Sequence, residues 1–236
     1  MLLRFRVLIS LPFLQLQSLQ AFSSMSRKQM KNIFSRSSLS ALPTMIVFDL
    51  DDCLWSPEMY TLRYPGPTIP ITGKTEGCDE DVVIGMQCPN GPTVKLFGGA
   101  RSALLELATD PKYKDVIIAA ASSSEEPTFS KACLDNIEVL PGKTMRSMFQ
   151  YTQIGRTGKL SSRKTTHFKE LHQDSGVAYN EMLFFDDCNW GDHVGDIEKC
   201  FRVVGQRTPR GMQLSEFHAG LEKYCKVAKE RAANIV

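Results

Sequence analysis

The chain has 236 residues, 42% hydrophobic and 23% charged, the make-up of a soluble globular protein long enough for one domain with a full core plus an extension. Its net charge of +2 conceals a basic segment joined to a mildly acidic body, which points to a removable address rather than a nucleic-acid binder. Seven cysteines with no C-x-x-C pair leave no zinc-site pattern, and a body of this size has no need of a disulfide framework.

The charge is unevenly placed. Residues 1–48 contain no Asp or Glu but hold Arg4, Arg6, Arg27, Lys28, Lys31 and Arg36; without those six, 22 basic residues face 26 acidic ones. Val7 to Leu19 is mostly apolar and precedes Ala21-Phe22-Ser23, as in a secretory signal; Gln15, Gln17 and Gln20 break it too often for a membrane span. Ser24 to Ser40 is rich in Ser and basic residues, as in an organellar transit peptide. Together they resemble a bipartite plastid presequence, with a mitochondrial address or a cytoplasmic chain bearing an unstructured tail as alternatives. Residues 1–43 are therefore expected to lie outside the fold, and 44–236 to form one domain.

Met45 to Phe48 is an apolar run that ends in Asp49-Leu50-Asp51-Asp52, a short buried strand followed by an acidic loop. Residues 56–98 are rich in Pro and Gly. There Val82-Val83-Ile84 and Val94 to Phe97 flank Pro89-Asn90-Gly91-Pro92, which predicts an insertion carrying a β-hairpin. A helix is expected over Ala100 to Ala108, a second buried strand over Val116 to Ala121, and a helix opening at Glu125-Glu126-Pro127. Met148 to Ile154 reads as a third strand. Ser161 or Ser162 is expected to cap a helix that ends near Gly176. Met182 to Phe185 is a fourth strand, again ending in acids, and Phe201 to Val204 a fifth. Leu214 to Ala228 is an amphipathic helix. This alternation predicts an α/β fold: a Rossmann-like, mostly parallel sheet with helices on both faces.

In a parallel sheet all strand C-termini lie on one edge, where such folds place their ligands. Asp49 and Asp51 end the first strand, Ser122 the second, Asp186 and Asp187 the fourth, and Lys164 opens a helix. Alternation puts Asp49 and Asp51 on the same side. Converging carboxylates repel unless a cation or a shared proton intervenes, and Mg²⁺ suits a site of carboxylate and phosphate oxygens. A carboxylate beside it can attack a phosphoryl group.

These motifs, in this order, resemble those of the haloacid dehalogenase superfamily over most of 44–230. The closer wording resembles the magnesium-dependent phosphatase type 1 family: Val47 to Asp51 with Leu54-Trp55, Ala119 to Ser122, Lys164 to His172, Phe184 to Asn189, and Leu214 to Leu221. The resemblance implies a HAD-type fold with Asp49 as nucleophile and Asp51 as acid and base. It implies Mg²⁺ held by Asp49, the Asp51 backbone carbonyl and Asp186, with Asp187 and Asn189 in support. Ser122, the Ser123 N–H and Lys164 would meet the phosphoryl group. Two departures stand out: Cys53 where the family usually has Thr, and Ser123 where it usually has Arg, which removes a phosphate contact.

The expected function is Mg²⁺-dependent hydrolysis of a phosphomonoester through an aspartyl-phosphate, on a sugar phosphate, a phosphorylated glycated amine or phosphotyrosine, by a monomer without nucleic-acid or stable membrane partners. A non-catalytic phosphoryl- or protein-binding module and a phosphotransferase are the alternatives; the retained Asp51 separates hydrolase from module. The short intervals Asp51 to Ser122 and Ser122 to Lys164 leave no room for a folded cap domain, so the site should be open. Trp55 and Trp190, each after an acidic motif, are candidates for the mouth or the core. His167 and His172 read as structural. Cys53 and Cys188 each follow a motif, and a redox pair competes there with simple buried packing.

Overall fold

The computed structural model describes residues 41–75 and 78–234. The expected presequence therefore lies, except for 41–43, outside the described residues.

In chain order the elements are β1 (Met45–Phe48), β2 (Trp55–Ser56), β3 (Ile69–Thr75), β4 (Cys78–Gln87), β5 (Thr93–Leu96), α1 (Gly98–Thr109), β6 (Ile117–Ser122), α2 (Pro127–Asn136), β7 (Glu138–Leu140), β8 (Lys143–Thr144), α3 (Met145–Met148), β9 (Tyr151–Ile154), α4 (Lys164–Ser175), β10 (Met182–Asp186), α5 (His193–Phe201), β11 (Val204–Arg207) and α6 (Leu214–Ala233). The main sheet runs β11-β10-β1-β6-β9, and every pair in it is parallel. β1 is central because all four of its residues are fully buried and apolar, as a strand covered on both faces must be. Its neighbours are β10 and β6, so their C-terminal Asp186 and Ser122 flank Asp49.

The pleat divides the core. Met45, Val47, Ala119, Ala121 and Phe184 face Phe168 and Leu171 of α4 and Val194 and Ile197 of α5. On the opposite face Phe48 stacks on Phe185 at 5.4 Å, and Phe185 meets Phe217 of α6 at 5.8 Å. Gly220 lets α6 approach, because a Cβ there would lie 2.6 Å from the Phe185 ring.

Several sequence expectations need adjustment. The insertion does hold the β4–β5 hairpin, but β2 and β3 join it in a four-stranded antiparallel sheet, β2-β5-β4-β3. β3 is not among the expected strands because its pattern, with Pro70 and Gly73, lacks an apolar face. The third strand begins only at Tyr151, since Met145–Met148 forms a helical turn. The fifth begins at Val204: Phe201 instead closes α5, stacked on Tyr179 at 4.4 Å, and Arg202 turns the chain at φ 60°. Helix α5 is not among the expected elements; Asp192 accepts the Gly195 N–H at 2.8 Å as its N-cap. Neither Ser161 nor Ser162 caps α4. Arg163 occupies the N-cap position without a side-chain bond, and Ser161 Oγ accepts from the Arg163 N–H in the preceding turn.

Candidate active site

Asp49 continues the β1 alternation toward the α4 face, where Lys164 meets it. Lys164 is the first residue of α4, buried to 3% exposure. A buried cation at a helix N-terminus opposes the helix dipole and loses its hydration, so its location needs strong compensation. That comes from Asp49, in direct ion-pair contact, from Asp186 Oδ2 at 3.1 Å and from the Ala121 carbonyl at 2.9 Å. Burial works against the ammonium, but Asp186 and Asp49 outweigh it and hold it charged.

The β10 loop orients its carboxylates through its own backbone. Asp186 Oδ1 accepts the Cys188 N–H, and Asp187 Oδ2 the Asn189 N–H, both at 2.8 Å. Cys188 takes a left-handed φ of 60°, as Asp52 (φ 52°) does after Asp51. Such conformations are costly for non-glycine residues and cluster at functional loops. Asn189 thus acts on the site through its backbone.

Carboxylate oxygens of Asp49, Asp186 and Asp187 lie within 4.8 Å of one another, and all three residues are buried. Asp49 Oδ1 and Asp186 Oδ2 accept no well-directed hydrogen bond; the Lys164 ammonium is the charge set against them. Burial and the neighbouring Asp186 push the Asp49 carboxyl up, while Lys164 pulls it down; burial, then Asp49 and Asp186, raise Asp187 to about 8. Three buried carboxyl groups face one ammonium, and the upward shifts of Asp49 and Asp187 show that the site cannot hold all three negative charges on its own. A hard divalent cation with oxygen ligands fits it, and would reverse these shifts.

Asp51 is held differently. Its Oδ1 accepts the Trp55 indole N–H at 2.7 Å; its Oδ2 accepts the Met59 N–H at 3.3 Å and the Ser124 hydroxyl at 3.2 Å. Burial raises its carboxyl to about 6, with the Trp55 bond restraining the rise. An acid near neutrality can both give and take a proton. Trp55 is fully buried beneath it, so of the two tryptophans only Trp190 is at the mouth.

Ser122 ends β6, buried beside Asp49, and its carbonyl accepts from Gly155 N at 2.8 Å. His167 Nε2 lies 3.1 Å from that carbonyl and 3.0 Å from the Gly155 carbonyl, so this nitrogen carries the proton and donates to both. Burial, then Lys164, lowers His167 to about 4, and it is a neutral brace between β6 and the β9 loop. Asp49, Asp51, Ser122, Ser123, Lys164 and Asp187 all line one cleft of about 550 Å³, with Asp186 fully buried beneath. Ser124, Glu58, Tyr60, Arg156 and Arg163 also line it, and were not singled out in the sequence. Ser124 could have been, standing two residues past Ser122; the others carry no motif.

Cys53 is fully buried against the Phe185 carbonyl and accepts the Thr208 hydroxyl at 3.4 Å. Burial drives its thiol well up and that of Cys188 to about 12. Neither is a ready thiolate, which favours packing over a redox pair.

Residues 41–227 match a protein-family model described as Acid Phosphatase. The chain is 28% identical over 145 residues to a HAD-like hydrolase superfamily protein of Schizosaccharomyces pombe, covering 61% of this chain and 76% of that one. It is 26% identical over 188 residues to Magnesium-dependent phosphatase 1 of Homo sapiens, covering 80% and 90%. Among solved structures it is similar to the N-terminal part of the protein BF1531 from Bacteroides fragilis, containing a phosphatase domain complexed with Mg, at TM-score 0.48 and 14% identity over 78% of this chain; it spans 40% of that one. With the family match running through both acidic loops, the second strand and Lys164, the chain belongs to the acid phosphatase family, among the haloacid dehalogenase-like hydrolases.

Proposed function

We propose that the chain is a Mg²⁺-dependent phosphomonoesterase that works through an aspartyl-phosphate on Asp49. The observation that carries this reading is the convergence of a charged-paired carboxylate, Asp49, with a second carboxyl, Asp51, held at about 6 in the same cleft. Asp49, the Asp51 backbone carbonyl and Asp186 would hold the metal, with Asp187 behind them. When bound, Mg²⁺ supplies charge neutralisation to the phosphoryl oxygens.

This chain's own residues do the rest. Ser122 and the Ser123 backbone bind phosphoryl oxygens, and Lys164 offsets charge on them and on Asp49. Asp49 attacks phosphorus; as the new P–O bond forms, the ester P–O bond breaks, and Asp51 gives its proton to the leaving oxygen. Water then attacks the phospho-aspartate. Asp51, now a carboxylate, takes the water's proton, and Asp49 and inorganic phosphate are released. The acid group on Asp51 supports a hydrolase over the binding-module alternative.

Sugar phosphates, phosphorylated glycated amines and phosphotyrosine are the substrate classes this reading admits, in a monomer. The basic, acid-free N-terminus supports a plastid-directed chain, with mitochondrion or cytoplasm as the alternatives, and a fluorescent fusion of residues 1–43 would decide among them. The decisive test of the mechanism is Asp49→Asn, which keeps the shape and removes the attacking charge. Against a panel of phosphate esters with Mg²⁺, turnover should fall to background, and EDTA should abolish the wild-type rate. Hydrolysis by Asp49→Asn near the wild-type rate would overturn the mechanism.

A further inference from the structure

Large apolar side chains are rarely exposed without a reason when they are also held in place. Among the described residues Tyr60, Tyr64, Ile69 and Trp190 are the exposed ones; Tyr60 (49%) and Trp190 (71%) line the catalytic cleft. Trp190 is not a loose surface ring. Its indole N–H donates to both carboxylate oxygens of Glu58, at 2.8 and 3.1 Å. It meets the Tyr60 ring edge-on, with centroids 6.0 Å apart at 80°. The polar edge is thus satisfied and the ring orientation set, while most of its surface stays open to solvent.

The position of this pair relative to the chemistry is specific. Trp190 sits on the turn after Asp186 and Asp187, whereas Glu58 precedes and Tyr60 belongs to the one-turn 3-10 segment Met59–Thr61 after β2. Met59 is the residue whose N–H donates to Asp51. The segment carrying Tyr60 and Glu58 therefore hangs from the carboxyl that gives its proton to the leaving oxygen. Whatever is bonded to that oxygen lies on the Asp51 side of the cleft, and the two rings line the same cleft.

Resting on the phosphatase reading above, we propose that Trp190 is the leaving-group contact of this site, that Glu58 and Tyr60 are its positioning residues, and that it selects leaving groups with a flat unsaturated face over flexible polyols. A flat ring against an oriented indole gains dispersion and offset-stacking energy that a hydroxylated chain, better solvated in water, does not match. Stacking of this kind corresponds to about tenfold in selectivity.

The test compares phenyl phosphate with glycerol phosphate, both with Mg²⁺. In wild type, phenyl phosphate should have the higher kcat/KM. Trp190→Ala should reduce the ratio of the two kcat/KM values about tenfold, mainly through KM for phenyl phosphate. Trp190→Phe should restore most of it. Glu58→Ala, which frees the indole, should give an intermediate ratio. A second readout needs no turnover: in Asp49→Asn, phenyl phosphate should quench or shift indole emission more than inorganic phosphate does, and that difference should vanish in Asp49→Asn/Trp190→Phe, where Trp55, bonded to Asp51, is the remaining indole. An unchanged ratio in Trp190→Ala, equal losses on both esters, or emission indifferent to phenyl phosphate would overturn the proposal and leave the phosphatase reading standing. Failure of wild type on phenyl phosphate while other esters of the panel are hydrolysed would overturn the proposal alone, and failure on the whole panel would overturn both.

Discussion

Trp55 Nε1 donates a hydrogen bond to Asp51 Oδ1 across 2.7 Å, from a side chain with no solvent exposure. The bond stabilises the carboxylate and keeps the Asp51 carboxyl near 6, when burial alone would take it higher. Trp55→Phe removes the donor and keeps a ring. Hydrogen bonds to charged groups contribute about 1.5–3 kcal/mol, and one pKa unit is about 1.4 kcal/mol. If Asp51 is the acid of the proposed mechanism, the alkaline limb of kcat/KM reports loss of its proton and should therefore move up by about one pH unit. A pH–rate profile that stays in place would detach Asp51 from the acid role.

Lys164 tests the buried charge balance. Lys164→Met leaves Asp49 and Asp186 buried without their counter-charge, a loss of roughly 3–5 kcal/mol. In a domain of this size that lowers the melting temperature by about 10 °C. Added Mg²⁺ should raise the melting temperature of the variant more than that of wild type, because the metal then replaces the missing charge. Equal metal-dependent shifts in the two proteins would place the cation elsewhere.

His167 predicts an acid limb in stability. Its folded value of about 4 lies below the ordinary 6.5, so the fold prefers the neutral ring. The contribution is present above about 6.5 and is lost as pH falls toward about 4, where the unfolded chain takes up a proton that the folded one refuses. The 2.5-unit difference amounts to roughly 3 kcal/mol. Asp51, raised in the fold, contributes with the opposite sign, so the comparison must be with His167→Gln. Urea midpoints at pH 7 and pH 4 should converge more in the variant than in wild type.

Gly220 sets helix propensity against packing. Ala is the better helix former by about 1 kcal/mol. Yet a Cβ at 220 would sit 2.6 Å from Phe185 Cζ, and that ring is fixed between Phe48 and Phe217. Overpacking of this kind costs about 1–3 kcal/mol. Gly220→Ala should lower the melting temperature by a few degrees; a rise would mean that α6 can shift outward freely.

Much of the site was written in local pattern. Apolar runs ending abruptly in acids, at Phe48-Asp49 and Phe185-Asp186, mark buried strands whose C-termini carry chemistry, and parallel pairing then brings them to one edge. Asp49, Asp51, Ser122, Asp186 and Asp187 could be named from that pattern because strand period and strand ends are properties of neighbouring residues, whereas Lys164, at a helix start, takes its role from the resemblance of the ordered motifs. What was not legible depends on contacts between distant ones. The two tryptophans stand in similar sequence settings, yet Trp55 went to the core and Trp190 to the mouth, because β2 pairs with β5 and seals the first against solvent. Strand β3 has no apolar alternation and exists through its pairing with β4. The bond between Trp190 and Glu58 joins residues 132 apart in sequence, and no local pattern encodes such a distance. Lys164 as the first residue of α4 contradicts helix-end preference and is tolerated because Asp49 and Asp186 arrive from two other strands. Residue order thus determined which groups reach the sheet edge, while tertiary packing decided their charge states and their neighbours, since desolvation and ion pairing arise only when segments remote in the chain are buried against one another.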